Sequence, residues 1–138
     1  MIFLDTNILL YSISRAEDEA PKRRRAIELL DRDDCALSVQ VLQEFYVQAT
    51  RTSRADALPH GIAAGLIRTW LRFPVQPIDV AVMKGALEIR AAHGYSYWDS
   101  AIIAAARALG CRELMSEDMQ HGQVIDDVSI VDPFRPSP

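Results

Sequence analysis

Nineteen of the 138 residues are Asp or Glu, and four of these acids fall where they could work together. Asp5 directly follows the apolar run Ile2-Phe3-Leu4. Glu44 lies on the flank of an amphipathic stretch, Asp99 opens an otherwise apolar run, and Asp118 closes the triplet Ser116-Glu117-Asp118. No His or Cys stands among them, so the set offers hard oxygen donors, suited to Mg²⁺ or Mn²⁺ rather than zinc. One or two such ions can generate hydroxide, hold a phosphodiester in line and stabilise the departing oxygen. Each acid also has a plainer role. Asp5 suits a helix N-cap, Glu44 an exposed helix position, Asp99 the acidic half of a capping box with Ser96, and the Ser116 triplet a polar helix start. Glu117 and Asp118 compete for the fourth place.

Positioning these acids calls for strands that end where helices begin. Ile2 to Leu4 reads as a short buried strand, followed by a helix from about Thr6 to Ser14. A second helix, with Pro21 in its first turn and Glu17, Asp18 and Glu19 before it, extends to about Arg32. Cys35-Ala36-Leu37 is a second strand. Ser38 then caps a helix whose Val41, Leu42, Phe45, Tyr46 and Ala49 share one stripe. Pro59 to about Leu71 forms another helix, and Val75 to Ile78 a short extended segment. Asp79 to Ala92 and Tyr97 to Leu109 are two more helices, divided at Gly94. In the second of these, only Asp99 and Arg107 are charged, which predicts burial, and the aromatic residues around Trp98 read as core. Arg112 to Met115 and Ser129 to Val131 complete the strands. Short apolar strands alternating with longer helices predict a mostly parallel sheet covered on both faces. The expected fold is a three-layer α/β/α sandwich in a single domain over residues 1–138. Such sheets place their sites at the carboxyl ends of the strands, the rim where the four acids would gather.

A hydrophobic fraction of 49% and a charged fraction of 25% describe an ordinary globular chain. Asp5 interrupts the opening apolar residues, so no signal-peptide core is expected there, and no apolar run has the roughly 18–20 residues of a membrane helix. Cys35 and Cys111 show neither CxxC nor zinc spacing and read as core residues in a reducing compartment, so a cytoplasmic protein is expected. A net charge of −4 is awkward for a nucleic-acid binder, but with the four clustered acids set aside the remaining charges balance. Lys22-Arg23-Arg24-Arg25, with Arg51, Arg54, Arg68 and Arg72, then supply basic faces or merely solvated ones. His60, His93 and His121 are scattered, and His121 reads as a surface residue. Neither a Walker loop nor GxGxxG is present, which argues against a nucleotide cofactor.

Phe3-Leu4-Asp5-Thr6-Asn7 resembles the strand-ending Asp-Thr-Asn signature of the PIN-domain family. Glu44 is similar to that family's helix glutamate, Tyr97-Trp98-Asp99-Ser100 to its Tyr-x-Asp helix start, and Ser116-Glu117-Asp118 to its Thr-x-Asp. The four stand in the family's order over nearly the whole chain. Ser116 to Gly122, followed by Val131-Asp132-Pro133-Phe134, is similar to one subgroup of bacterial VapC-type toxins. The resemblance implies a metal-dependent ribonuclease, the toxin of a toxin–antitoxin pair, acting as a homodimer and silenced by a cognate antitoxin that covers the groove. It implies Asp5 and Asp99 as the most direct ligands of Mg²⁺ or Mn²⁺, with Glu44 and Asp118 completing the set or acting through water. Thr6 and Asn7 would orient Asp5, and the Ser116 hydroxyl would assist the pocket or the attacking water. Serine replaces the commoner threonine at Ser116. Two other readings stand beside this one. An aspartyl-phosphate phosphatase needs a second Asp two residues after the first, where Asn7 stands here. A catalytically inactive PIN-fold module, kept for RNA or protein binding, would have no need to hold four carboxylates together against their repulsion.

Overall fold

The structure is a computed structural model that describes residues 1–136; the last two residues of the expected domain lie outside the described residues. Strand β1 (Ile2–Leu4) is apolar and buried throughout. Asp5 caps α1 (Thr6–Ser12), its carboxylate accepting from the Thr6 N–H. A 3₁₀ turn over Glu17–Glu19 leads into α2 (Ala20–Leu30), where Pro21 occupies the first turn and its missing N–H leaves no bond unmade. β2 (Cys35–Ser38) ends on Ser38, which caps α3 (Val39–Ala49) by accepting from Val41 N–H. Helix α4 (His60–Trp70) and strand β3 (Val75–Gln76) complete the first half. Helix α5 (Val80–His93) stops at Gly94, whose φ of 76° is the left-handed C-cap conformation that glycine adopts without a Cβ clash. After α6 (Tyr97–Ala108) come β4 (Glu113–Met115), β5 (Val124–Ile125) and β6 (Val128–Val131).

The strands lie in the order β3-β2-β1-β4-β6-β5. All pairings are parallel except that of β5 with β6. The chain steps outward from β1 to β2 and β3 through α1 to α4, then returns through α5 and α6 to β4 on the other flank of β1. Right-handed crossovers therefore put the first four helices on one face and α5 and α6 on the other. Helix α6 packs between the sheet and α5, and Ser100 to Ala106 are all buried. The direction of winding reverses between β1 and β4, and the crevice at their carboxyl ends is where such sheets place a site.

The α/β/α architecture matches the expectation, and several details depart from it. α1 ends at Ser12 rather than Ser14. The short hairpin strand β5 has no counterpart in the expected elements, because two residues, one of them exposed, carry no periodicity. Its turn uses Asp126 and Asp127 at φ of 48° and 70°, left-handed values that Asp tolerates better than most residues. Trp98, expected in the core, is 66% exposed, because it sits on the first turn of α6 at the rim, ahead of the stretch that α5 and the sheet cover. Among the described residues no helix is long and apolar enough to cross a membrane.

Leu114, in the middle of β4, is fully buried between the helical layers. Leu114→Ala should lower unfolding free energy by about 2–5 kcal/mol, read from urea denaturation. A loss well under that range would mean that the second helical layer does not cover β4.

Candidate active site

The crevice is built first from backbone. Asp5 N–H donates to the Met115 carbonyl at 3.0 Å, and Ser116 N–H donates to the Val131 carbonyl at 2.9 Å, so the ends of β1, β4 and β6 are tied together. On that frame Asp5 is only 4% exposed. Its Oδ1 accepts from Thr6 N–H and its Oδ2 from the Ser116 hydroxyl, both at 2.7 Å. Burial raises the Asp5 carboxyl from 3.8 to about 7, the charges of Asp99 and Asp118 adding to the rise and the two hydrogen bonds opposing it. Ser116 is itself fully buried, and its Oγ also accepts from Asp118 N–H at 3.2 Å.

The other acids surround Asp5 nearer the solvent. Asn7 Nδ2 donates to Asp118 Oδ2 at 3.0 Å. Glu44 accepts from the Thr6 hydroxyl at 3.2 Å and from Gln40 Nε2 at 2.7 Å, and Gln40 Nε2 also reaches the Trp98 carbonyl at 3.1 Å. That single amide ties α3 to the first turn of α6. The Asp99 N–H donates to Ser96 Oγ at 3.1 Å, so the cap foreseen at Ser96 is present. The Asp99 carboxyl is raised by burial and by the charges of Asp118 and Glu44, with Ser96 pulling it down. Cap and charge cluster therefore coexist at this helix start.

Glu117 is turned away from this set. It accepts from the Tyr11 hydroxyl at 2.5 Å and pairs with the Lys22 ammonium at 2.5 Å. Burial acts to raise its carboxyl, but those two partners more than offset it and hold it below the ordinary range. Asp118, not Glu117, is the acid whose charge acts on Asp5 and Asp99. Of the two residues expected to orient Asp5, only Thr6 bonds to it. Thr6 gives Asp5 its backbone N–H and sends its hydroxyl to Glu44, while Asn7 orients Asp118 rather than Asp5. Gln40 was not foreseen, although its spacing of one helical turn from Glu44 is a signal for such a pair. Tyr11 and Lys22 had no signal, being far from Glu117 in the chain.

Among the described residues no group of three or more His, Cys, Asp or Glu side chains is arranged to hold a metal ion. The donor set nevertheless fits a hard cation. Every candidate ligand is an oxygen, and a cation would relieve the repulsion that adds to the effect of burial on Asp5 and Asp99. Asn7 Oδ1 is also buried without any hydrogen-bond partner, an acceptor well suited to a water on such an ion.

Residues 2–125 match the sequence model of the PIN domain family. Comparison with curated proteins finds no match. Several solved structures share the fold. VapC20 of Mycobacterium tuberculosis, described as a sarcin-ricin loop cleaving toxin, superposes with a TM-score of 0.66 at 20% identity, over 86% of this chain and 92% of that one. A toxin–antitoxin complex from Klebsiella pneumoniae gives 0.73 at 20% identity, over 99% and 100%. FitAcB from Neisseria gonorrhoeae gives 0.71 at 19% identity, over 99% and 100%.

The raised Asp5 carboxyl has a consequence for stability. Its pKa is 3.8 in the unfolded chain and about 7 in the fold, so between these values the folded state holds the extra proton. The stability from that proton is complete below the unfolded value and is lost as pH rises through about 7. In EDTA the wild type should therefore fall in melting temperature relative to Asp5→Asn as pH rises over that window. Asparagine keeps the N-cap and can bond Ser116, so the comparison isolates the charge. Parallel melting curves for the two proteins would show that Asp5 titrates normally.

Proposed function

The chain belongs to the PIN domain family, and from that premise we propose that it is a metal-dependent ribonuclease acting as the toxin of a toxin–antitoxin pair. The observation that carries the reading is the convergence of Asp5, Asp99 and Asp118 on one crevice, close enough that the charges of Asp99 and Asp118 act on Asp5 and that of Asp118 acts on Asp99. Glu44 joins through Asp99, and the buried Ser116 hydroxyl holds Asp5 in place. Acids gathered without a cation repel each other, an arrangement that makes sense where one is meant to bind.

In this reading Asp5 and Asp99 would hold Mg²⁺ or Mn²⁺, and Glu44 and Asp118 would complete the set or act through water. The bound ion supplies Lewis acidity that lowers the pKa of water and offsets charge on the phosphodiester. The protein's own residues prepare the site. Ser116 and the Thr6 N–H orient the Asp5 carboxylate, Asn7 orients Asp118, and Thr6 and Gln40 fix Glu44. Asn7 Oδ1 accepts a hydrogen bond from water in the crevice and so helps place the attacking oxygen. Hydrolysis then joins that oxygen to phosphorus while the bond to the leaving nucleoside oxygen breaks.

The partners follow the same reading. Relatives of this fold have been solved as toxin–antitoxin complexes, which supports a cognate antitoxin for this chain. Exposed Ile78, Val80, Met83, Leu87 and Trp98 supply apolar surface on and beside α5 and the start of α6, which supports a homodimer. The cytoplasm is the compartment where RNA and such a partner would be met.

Single-stranded RNA should be cut in Mg²⁺ or Mn²⁺ and left intact in EDTA. Asp99→Asn should lower the rate by orders of magnitude while remaining folded, and Mn²⁺ should raise the melting temperature of the wild type more than that of the variant. Full cleavage by folded Asp99→Asn would overturn the catalytic assignment. RNA binding with no cleavage by the wild type would instead identify a binding module.

A further inference from the structure

The end of β6 carries a second polar cluster that the acidic crevice does not use. In the sheet, β6 lies two places from β1, about 10 Å at ordinary strand spacing, and parallel to it. Both strands therefore open on the same rim. Beyond β6, Arg25 of α2, His121, Asp132 and Arg135 line an open cleft. His121 belongs to the run Ser116 to Gly122 that stood out in the sequence, and nothing in the acidic crevice uses it.

The donors that line this cleft are two guanidiniums and an imidazole. Arg25 Nε donates to the Pro133 carbonyl at 3.3 Å, which anchors the guanidinium against the segment after β6. His121 Nδ1 accepts from Asp132 N–H at 2.9 Å, so the ring donates through Nε2. The Arg135 side chain makes no hydrogen bond or ion pair among the described residues. The acids nearby are already engaged. Asp132 Oδ1 accepts from Phe134 N–H at 2.9 Å, Glu28 stands 3.4 Å from Arg25, and Glu117 is paired with Lys22. Two guanidiniums and an imidazole thus line the cleft beside a carboxylate that caps its own turn, with Arg25 bonded through Nε to Pro133 and through Nη1 to Glu28.

A polyanion approaching four clustered carboxylates on a chain of net charge −4 is repelled unless cations grip it close by. Planar guanidinium forks match phosphate oxygens, and an open cleft admits a chain that passes across it. We propose that the cleft of Arg25, His121 and Arg135 binds a backbone phosphate of the RNA, a step or two along the strand from the bond that is cut. This rests on the ribonuclease reading and adds to it a place where the substrate is held.

The test is fluorescence anisotropy of a labelled single-stranded RNA with the full chain in EDTA, at several salt concentrations. Arg25→Gln and Arg135→Gln should each weaken binding several-fold on every sequence and lower the slope of log K against log salt by about 1. Arg25→Lys should keep that slope. Should Arg25→Gln not fold, Arg135→Gln carries the test, because its side chain supports nothing else among the described residues. Unchanged affinity and slope in the double variant, with a wild type that binds and cuts RNA, would overturn the proposal and leave the ribonuclease reading standing. A wild type that neither binds nor cuts RNA would overturn both. Unchanged RNA binding together with lost affinity for a poly-glutamate peptide would assign the cleft to an acidic protein segment and overturn the phosphate assignment.

Discussion

The Asp5 carboxylate is all but sealed from solvent, and much of the rim is arranged around it. A carboxylate removed from water must be hydrogen-bonded or must take up a proton. Here both tendencies operate. The Thr6 N–H and the Ser116 hydroxyl each satisfy one oxygen, yet burial and the neighbouring charges still push the group up to about 7. Ser116 can reach Asp5 only because β4 lies directly beside β1 in the sheet. The parallel pairing of these two strands is therefore a condition for the site.

Adjacent residues in the turn after β4 have opposite fates. Ser116 points inward, Glu117 points toward α1 and α2, and Asp118 returns to the crevice mouth beside Asn7. Lys22 and Tyr11 turn Glu117 away from the site, and the Tyr11 and Phe134 rings pack edge to face with centroids 5.0 Å apart. That cluster joins α1, α2 and the segment after β6 to the same turn. The rim is thus divided into an acidic crevice over β1 and β4 and a more cationic cleft over β6, with the Glu117 pair between them. On the proposed ribonuclease function, such a division would put repulsion and attraction for the substrate a short distance apart.

Glu44 shows how the opposite side of the crevice is held. Its carboxylate is gripped by Thr6 from α1 and by Gln40 from its own helix, and Gln40 reaches on to the Trp98 carbonyl. Three helices meet at two side chains. Trp98 itself turns outward, so the first turn of α6 presents Asp99 toward the crevice and an indole toward solvent.

Much of this was legible in the residues alone. Ser38 and Ser96 announced two helix starts, the stripe from Val41 to Ala49 announced a half-buried helix, and the short apolar runs around Phe3, Ala36 and Leu114 announced strands covered on both faces. These signals are local: a cap or a stripe depends on residues within a turn or two, so the sequence carries it without knowing the fold. β5 escaped because two residues are too few for a period. The choice of Asp118 over Glu117, the pairing of Asn7 with Asp118 and the grouping of Arg25 with His121 and Arg135 were decided only by the tertiary structure. Each depends on β4 and β6 lying on the flank of β1 although both come more than a hundred residues later in the chain. Which side chains meet across such a gap is set by sheet order and by the direction each turn takes, and neither leaves a mark in the local pattern.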